Sequence, residues 1–197
     1  MREMIKMVIV LTILSFFSGG VLAYLRNSTQ QRIDNQVLEF VKGPAIRTIF
    51  EGAGNDPIAD RFTIKDGDVE RTVFVGIFEG DPRGIAFETS GKGYGGDVGL
   101  MVGINVKDNK LIGVGVTTHG ETPGMGGKAK SDPSFVAQYE DLALQQPIAV
   151  TQDGGSISAI SGATITSRAV SSAATDADKI YQKLKPQITD KLKEFKK

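Results

Sequence analysis

Apolar positions form one long run near the start of the chain. Residues 7–25 carry no charge and are mostly apolar, long enough for a helix that crosses a bilayer. Arg2 and Lys6 before the run favour a cytoplasmic N-terminus. Val21-Leu22-Ala23 also fits the small-residue pattern of a signal-peptide cleavage site. Because apolar character continues beyond Ala23, the sequence favours a retained transmembrane helix over a cleaved signal.

The next segment is polar, and its apolar residues recur at helical spacings of three and four. These residues are Ile33, Val37, Phe40 and Val41. The pattern predicts a cytoplasmic tip and transmembrane helix over residues 1–26, then a juxtamembrane helix over 27–43. Lys42-Gly43-Pro44 is expected to end that helix. One domain is expected over 44–197.

Between residues 60 and 118 the pattern is typical of strands and turns. Asp66-Gly67 marks a hairpin turn, and residues 80–83 separate the second strand from the third. Strict apolar alternation from Val98 to Val106 predicts a strand with one buried face. Glycines on its other face indicate either bulges or the close approach of another backbone or a ligand. With a last strand over 111–118, we expect a strongly twisted antiparallel sheet.

Two helices are expected after the sheet. Asp132 can cap a short helix that begins at Pro133 and ends at about residue 141. A longer helix with one apolar face is expected over 166–185, with an interruption at Pro186. The predicted fold class is therefore α+β. It has an N-terminal transmembrane helix followed by one domain with a twisted antiparallel sheet and packed helices.

Composition excludes several classes of function. The 197 residues include 23 Lys+Arg and 23 Asp+Glu, so the net charge is zero and nothing indicates nucleic-acid binding. The absence of Cys excludes iron–sulfur clusters, disulfides and thiolate zinc. His119 is the single histidine, and a structural or exposed position is favoured for it over proton transfer. We expect no metal site and no catalytic residue. A carrier of electrons with this composition needs an organic cofactor.

The turn Ser161-Gly162-Ala163-Thr164-Ile165-Thr166-Ser167 opens the long C-terminal helix. Thr166 or Ser167 can cap that helix. Main-chain N–H groups and the positive end of the helix dipole then point back at the turn, which makes it suitable for a phosphate. The local sequence leaves open the alternative of a capped helix without a ligand.

Three segments resemble the FMN-binding domain found in the G subunit of Rnf complexes and in the C subunit of the sodium-pumping NADH:quinone reductase. Ser161-Gly162-Ala163-Thr164 resembles the flavinylation motif of that family. Residues 118–126 resemble its Glu-Thr-Pro-Gly-Leu-Gly loop, with Met125 in place of Leu. Gly93-Tyr94-Gly95-Gly96-Asp97 resembles the segment that precedes this loop.

The resemblance implies an FMN that is bound covalently, by a phosphoester, to Thr164. It also implies a set of residues that line the cofactor. Ser161, Gly162 and Ala163 would flank the phosphate, and Glu121, Thr122, Gly124 and Met125 would cradle the isoalloxazine ring. The implied role is that of a redox subunit in an Rnf-type translocase, which passes electrons between ferredoxin and NAD while moving Na⁺ or H⁺.

The implied partners are the other subunits of a membrane electron-transport complex, an FAD-dependent flavin transferase and membrane lipid. The chain would cross the inner or plasma membrane once, with its FMN domain on the periplasmic or extracytoplasmic side. Its length favours the G subunit over the longer C subunit, which is the alternative within the class. The family usually has an Asp three residues before the motif serine, where this chain has Ser158. That departure favours an alternative of another class, an unflavinylated extracytoplasmic structural or ligand-binding domain.

Overall fold

The computed structural model describes residues 1–196, and the chain divides into two units, Met1–Glu39 and Phe40–Lys197. The first unit consists mainly of helix α1 (Arg2–Gln36), none of whose residues is buried. Among residues 1–196, the helical segment that begins with α1 is the one long and apolar enough to cross a membrane. This segment contains the apolar run that the sequence predicted to be a helix.

The helical path does not end at the predicted position. A π-helical turn, Val37–Lys42, leads into helix α2 (Gly43–Ile49). Lys42-Gly43-Pro44 was expected to terminate a helix, and this prediction was wrong because Pro44 lies in the first turn of α2. Proline is tolerated there, since the N–H groups of a first turn have no intrahelical partner.

The second unit contains a five-stranded antiparallel sheet in the order β1-β2-β3-β4-β5. The strands are β1 (Arg61–Asp66), β2 (Val69–Phe78), β3 (Asp81–Lys92), β4 (Asp97–Asn105) and β5 (Lys110–Val116). The predicted first hairpin is present, with Asp66 paired to Val69. The turn before β3 is shorter than expected, because Pro82 already pairs with Ile77 on β2. The predicted α+β class with an antiparallel sheet is confirmed.

Strand β4 is buried on both faces, whereas its alternation predicted one buried face. Helix α2 packs on the second face, against β4 and β5. A Cβ added at Gly103 would overlap Cγ2 of Ile49, and one added at Gly115 would lie 2.6 Å from Cβ of Ala45. Gly103 and Gly115 therefore mark the close approach of a helix, and a register shift between Gly103 and Ile104 also places a bulge there, so both interpretations that the sequence left open apply.

Three helices follow the sheet: α3 (Lys128–Ser131), α4 (Pro133–Ala137) and α5 (Thr164–Leu192). Asp132 caps α4 as predicted, accepting a hydrogen bond from the main-chain N–H of Ser134 at 3.0 Å. Helix α4 ends four residues earlier than expected. Helix α5 continues through Pro186, where an interruption was predicted. It persists because Ile188 and Leu192, beyond the proline, are buried in the core.

The core lies between the sheet and α5, which packs mainly on β3 and β4. The predicted apolar face of α5 is buried: Ala173, Ala174, Ala177, Tyr181 and Leu184. Tyr139 is buried after α4, and its hydroxyl lies 2.9 Å from Oγ of Ser171 on α5. Burial raises the pKa of Tyr139 to about 12, against the opposing effect of this hydrogen bond. The contact fixes the start of α5 against the segment after α4.

Candidate functional site

Helix α5 begins at Thr164, and Ala163 is its N-cap without a side-chain cap. The prediction that Thr166 or Ser167 would cap the helix was wrong, because both side chains point into the protein. Ser167 is buried, and its Oγ donates to the carbonyl of Ala163 and accepts from the N–H of Ile160, each at 3.0 Å. The Thr166 and Ser167 hydroxyls, which were expected to cap the helix, are therefore buried between the first turn of α5 and the core.

The helix start leaves several polar groups available. Within residues 1–196, the main-chain N–H groups of residues 164–166 have no hydrogen-bond acceptor, and the first bonded amide is that of Ser167. The hydroxyl of partly exposed Thr164 likewise has no partner in the described part of the chain. Gly162 has φ +77°, which lets the chain turn sharply into the helix. This end of α5 can bind an anion, and its first residue presents an accessible hydroxyl.

The loop over residues 121–127 lies beside this turn. The N–H groups of Met125 and Gly127 both donate to the carbonyl of Thr122, at 3.2 and 3.1 Å. Gly124 has φ +77°, and residues 122–125 are exposed. A Cβ added at Gly162 would lie 3.3 Å from Cε of Met125. The structure thus brings the two predicted segments, 121–125 and 161–164, into contact.

Glu121 occupies a different position from its neighbours in the loop, since it is only 5% exposed. Its Oε1 accepts from the N–H of Gly95 at 2.9 Å, and its Oε2 accepts from Oγ1 of Thr166 at 2.5 Å. Desolvation is the largest influence on the pKa of Glu121 and raises it. The hydrogen bonds from Thr166, Gly95 and Tyr94 outweigh desolvation and leave the pKa of Glu121 below its ordinary value.

His119 supports the Glu121 loop. Its Nδ1 accepts a hydrogen bond from the main-chain N–H of Glu121 at 3.2 Å, and the side chain is partly buried. Arg168 is exposed and forms a two-pronged ion pair with Asp153, with both N–O distances at 2.7 Å. This bond lowers the pKa of Asp153. The Arg168 guanidinium, although close in sequence to Thr164, is therefore already paired with a carboxylate.

Ser158, which stands where the family usually has Asp, is held through its main chain by the side-chain amide of Gln138. The N–H of Ser158 donates to Oε1 of Gln138 at 2.7 Å, and its carbonyl accepts from Nε2 of the same amide at 3.3 Å. Gln138 thus anchors the segment before the motif on the end of α4. Among residues 1–196, no group of three or more His, Asp or Glu side chains could hold a metal ion.

Sequence reasoning missed two apolar residues near the site. Tyr94 is 77% exposed on the segment that Glu121 holds through Gly95, and Ile165 is 48% exposed directly after Thr164. Met125, on the third segment, is 49% exposed. A tyrosine within the glycine-rich run 93–96 was the available signal for the first of these. Exposed apolar side chains of this kind, on segments that carry the start of α5 and its neighbours, suit a flat aromatic ligand.

The sequence of this chain is similar to those of known proteins. Residues 93–179 match the family described as the FMN-binding domain. The G subunit of the ion-translocating oxidoreductase complex from Methanosarcina acetivorans is 28% identical over 170 residues, 86% of this chain and 89% of that protein. The Vibrio cholerae G subunit is 30% identical over 173 residues, 82% of each chain. The Cereibacter sphaeroides G subunit is 35% identical over 122 residues, but that match covers only 55% of its length.

Two solved structures share the fold. The C subunit of the Na⁺-translocating NADH-quinone reductase from Parabacteroides distasonis has a TM-score of 0.58 at 22% identity, covering 81% of this chain and 96% of that one. NqrC from Shewanella oneidensis has a TM-score of 0.50 at 23% identity, with 71% and 72% covered. These likenesses concern the fold alone. By its sequence, the chain belongs to the family of G subunits of the ion-translocating oxidoreductase (Rnf) complex.

Proposed function

We propose that this chain is the flavin-carrying electron-transfer subunit of a membrane-bound, ion-translocating oxidoreductase, with FMN joined to Thr164 by a phosphoester. The observation that carries the proposal is the start of α5. There an unpartnered threonine hydroxyl stands next to three main-chain N–H groups that have no acceptor within residues 1–196. The match of residues 93–179 to the FMN-binding domain supports the identity of the cofactor.

The residues present fit an FMN. The free N–H groups of 164–166 would bind the phosphate oxygens, and Ser161, Gly162 and Ala163 are small enough to leave that approach open. A phosphodiester keeps one negative charge, which a helix N-terminus stabilises by about 0.3–1 kcal/mol when exposed. Thr122, Gly124 and Met125 would lie along the ring with their exposed main chain and the Met125 thioether. FMN supplies the one- and two-electron redox chemistry that the amino acids of this chain lack.

The attachment step uses the Thr164 hydroxyl as a nucleophile. Its Oγ1 forms a new bond to the flavin-side phosphorus of FAD as the pyrophosphate bond breaks, so that AMP leaves. The hydroxyl proton passes to a base, which an FAD-dependent flavin transferase provides. Exposure of residues 161 and 162, and partial exposure of Thr164, allow such an enzyme to reach the hydroxyl.

The proposed role is a relay within a complex of the Rnf type, between ferredoxin and NAD and coupled to Na⁺ or H⁺ movement. Subunits of an ion-translocating oxidoreductase complex are the named relatives of this chain. Its partners would be the other subunits and membrane lipid. The segment that begins with α1 would cross the membrane once and hold the FMN domain on the periplasmic or extracytoplasmic side. A covalent tether suits that side, where a lost flavin cannot be replaced from the cellular pool.

Two alternatives differ in what supports them. A role as the C subunit of a Na⁺-translocating NADH:quinone reductase has the fold in its favour, at 22–23% identity, whereas the named sequence relatives are G subunits. An unflavinylated binding domain is favoured by one observation, the Ser158 that stands where the family has Asp.

The test is production of the full chain with and without a flavin transferase, followed by in-gel flavin fluorescence after denaturation. Wild type made with the transferase should fluoresce, and Thr164→Val should not. Thr189→Val is the matched control, since this threonine is exposed on the same helix and bonds only the carbonyl of Lys185. It should keep its fluorescence. Wild-type protein that shows no flavin fluorescence after production with the transferase would favour the unflavinylated domain.

A further inference from the structure

We propose that Glu121 is a positioning residue for flavin attachment. Its buried carboxylate holds the Thr166 hydroxyl inside the protein and thereby turns Thr164 outward as the threonine that receives the phosphate. This inference rests on the proposed function and adds a residue that selects between two threonines of the same turn. Glu121 touches neither the reacting oxygen nor, in this structure, the surface on which the cofactor would lie.

The Glu121 carboxylate joins three segments that are far apart in sequence. It accepts from Gly95 on the segment before β4 and from Thr166, 45 residues further along the chain. Glycines enclose it: a Cβ at Gly126 would lie 2.5 Å from Oε2, and one at Gly93 would overlap Oε1. The space around the carboxylate is therefore closed by main chain. Its hydrogen bonds fix the loop 121–127 and the segment 93–97 relative to α5.

Helix geometry converts this contact into an orientation of Thr164. Each helical residue turns about 100° from the last, so side chains two apart point to nearly opposite sides. Thr166 is 1% exposed with its hydroxyl bonded to Glu121, and Thr164 is therefore directed away from the core. Without the bond to Glu121, the first turn of α5 loses the side-chain hydrogen bond that holds Thr166 toward the core.

The same hydrogen bonds determine which hydroxyl groups of the turn remain available. Thr166 donates to Glu121, and Ser167 donates to the carbonyl of Ala163. A carboxylate can only accept, so it holds the Thr166 hydroxyl as a donor. Ser161 precedes the helix and lies outside its first turn. Thr164 is left as the helical hydroxyl that combines partial exposure with the free N–H groups.

The test is a double-mutant cycle on the rate of flavin attachment. Full-length chain made without a transferase is solubilised in detergent and incubated with purified flavin transferase and FAD. Glu121→Met keeps a side chain of similar length but removes both acceptor oxygens, and Thr166→Val removes the hydroxyl at nearly constant shape. Each should slow attachment roughly tenfold, the effect expected when a hydrogen bond to a charged group is lost. The double variant should be no slower than the slower single variant, since the contact between Thr166 and Glu121 is already absent from each of them.

Two further variants separate positioning from general stability. Thr166→Ser keeps the hydroxyl and should attach flavin at the wild-type rate. Asp178→Asn alters a second buried carboxylate, which lies on α5 and accepts from the N–H of Gln145 at 2.7 Å and from Nε2 of Gln182 at 2.9 Å. It should lower the melting temperature without slowing attachment.

Wild-type rates in both single variants, multiplied losses in the double variant, or an equal loss in Asp178→Asn would overturn the positioning role alone. A wild-type chain that accepts no flavin at all would overturn the proposed function as well. The two failures are therefore distinguishable.

Discussion

At the scale of single residues, the hydroxyl groups at the start of α5 have two different roles: one is available for reaction, and the others hold the helix in place. Within residues 1–196 the hydroxyl of Thr164 has no hydrogen-bond partner, whereas the hydroxyls of Thr166 and Ser167, two and three residues later, are bonded inside the protein. Glu121 provides the acceptor for Thr166 although it belongs to a loop that is otherwise exposed. A residue first expected to face a ligand thus has protein donors on both of its oxygens.

The depressed pKa of Glu121 makes stability depend on pH in a defined direction. Because the folded-state pKa lies below the ordinary value of 4.5, the carboxylate stabilises the fold fully above 4.5. That stabilisation is lost as the pH falls through the lower, folded-state pKa. Glu121→Gln should cost about 1.5–3 kcal/mol near neutral pH, the range for hydrogen bonds to a charged group. Denaturant unfolding of both proteins in detergent measures the difference.

The diagnostic result is how that difference changes with pH. Other carboxylates with lowered pKa values, such as Asp66 and Asp153, titrate in both proteins and cancel in the comparison. The gap between wild type and Glu121→Gln should narrow as the pH falls below 4.5. A gap that stays constant would mean that the ionised form of Glu121 is not what stabilises the site.

At the scale of elements, helices pack on both faces of the sheet. Helix α5 covers β3 and β4 with alanines and larger apolar residues, and α2 covers the opposite face where β4 and β5 carry glycines. The sequence could predict the α5 face, because its apolar residues follow a helical period. It could not show what lies on the glycine face, since α2 comes from a distant segment, before the first strand of the sheet.

A glycine-to-alanine pair tests this packing. Gly103→Ala places a methyl group against Ile49 and should destabilise the fold by about 1–3 kcal/mol, as overpacking does in other cores. Gly113 is the matched control, since it pairs with Gly103 in the sheet and a Cβ there would meet only Cγ of Glu140, at 3.8 Å. Gly113→Ala should change stability little. Equal unfolding free energies for the two variants would mean that α2 does not pack as described.

Some local signals were overridden by tertiary packing. Pro186 removes one hydrogen bond from α5, yet burial of Ile188 stabilises the helical turn that follows the proline. Asp132, in contrast, acts where its own sequence context places it, as the cap of α4. Local caps and turns were thus predictable from the chain, whereas positions decided by distant contacts were not.

At the scale of the whole molecule, the candidate site is assembled from segments 93–97, 119–127 and 161–168. The turn at 161–167 was found from its local helix-start pattern, whereas segments 93–97 and 118–126 were singled out by their resemblance to the FMN-binding domain family. The contacts that join them were not predictable, since the bond from Thr166 to Glu121 spans 45 residues and that from Gly95 to Glu121 spans 26. Burial of Glu121 follows from those contacts rather than from its neighbours in sequence.

The long apolar N-terminal helix leads to a prediction about topology. We expect the helix to remain uncleaved and the unit Phe40–Lys197 to lie outside the cytoplasm. N-terminal sequencing of the protein from membranes should start at or near Met1, and external protease should digest the domain in right-side-out vesicles. A sequence that starts at Tyr24 would indicate a cleaved signal, and a domain protected in right-side-out vesicles would place it on the cytoplasmic side.

The central claim is that Thr164 carries the flavin, and peptide mass spectrometry of protein purified from native membranes tests it most directly. Trypsin should release a peptide ending at Arg168 that is heavier by FMN less one water, and fragmentation should place the added mass on Thr164. The Thr164 hydroxyl and the N–H groups at the start of α5, which have no partner within residues 1–196, predict that position. An unmodified peptide, or an adduct on Ser161 or Thr166, would contradict the account.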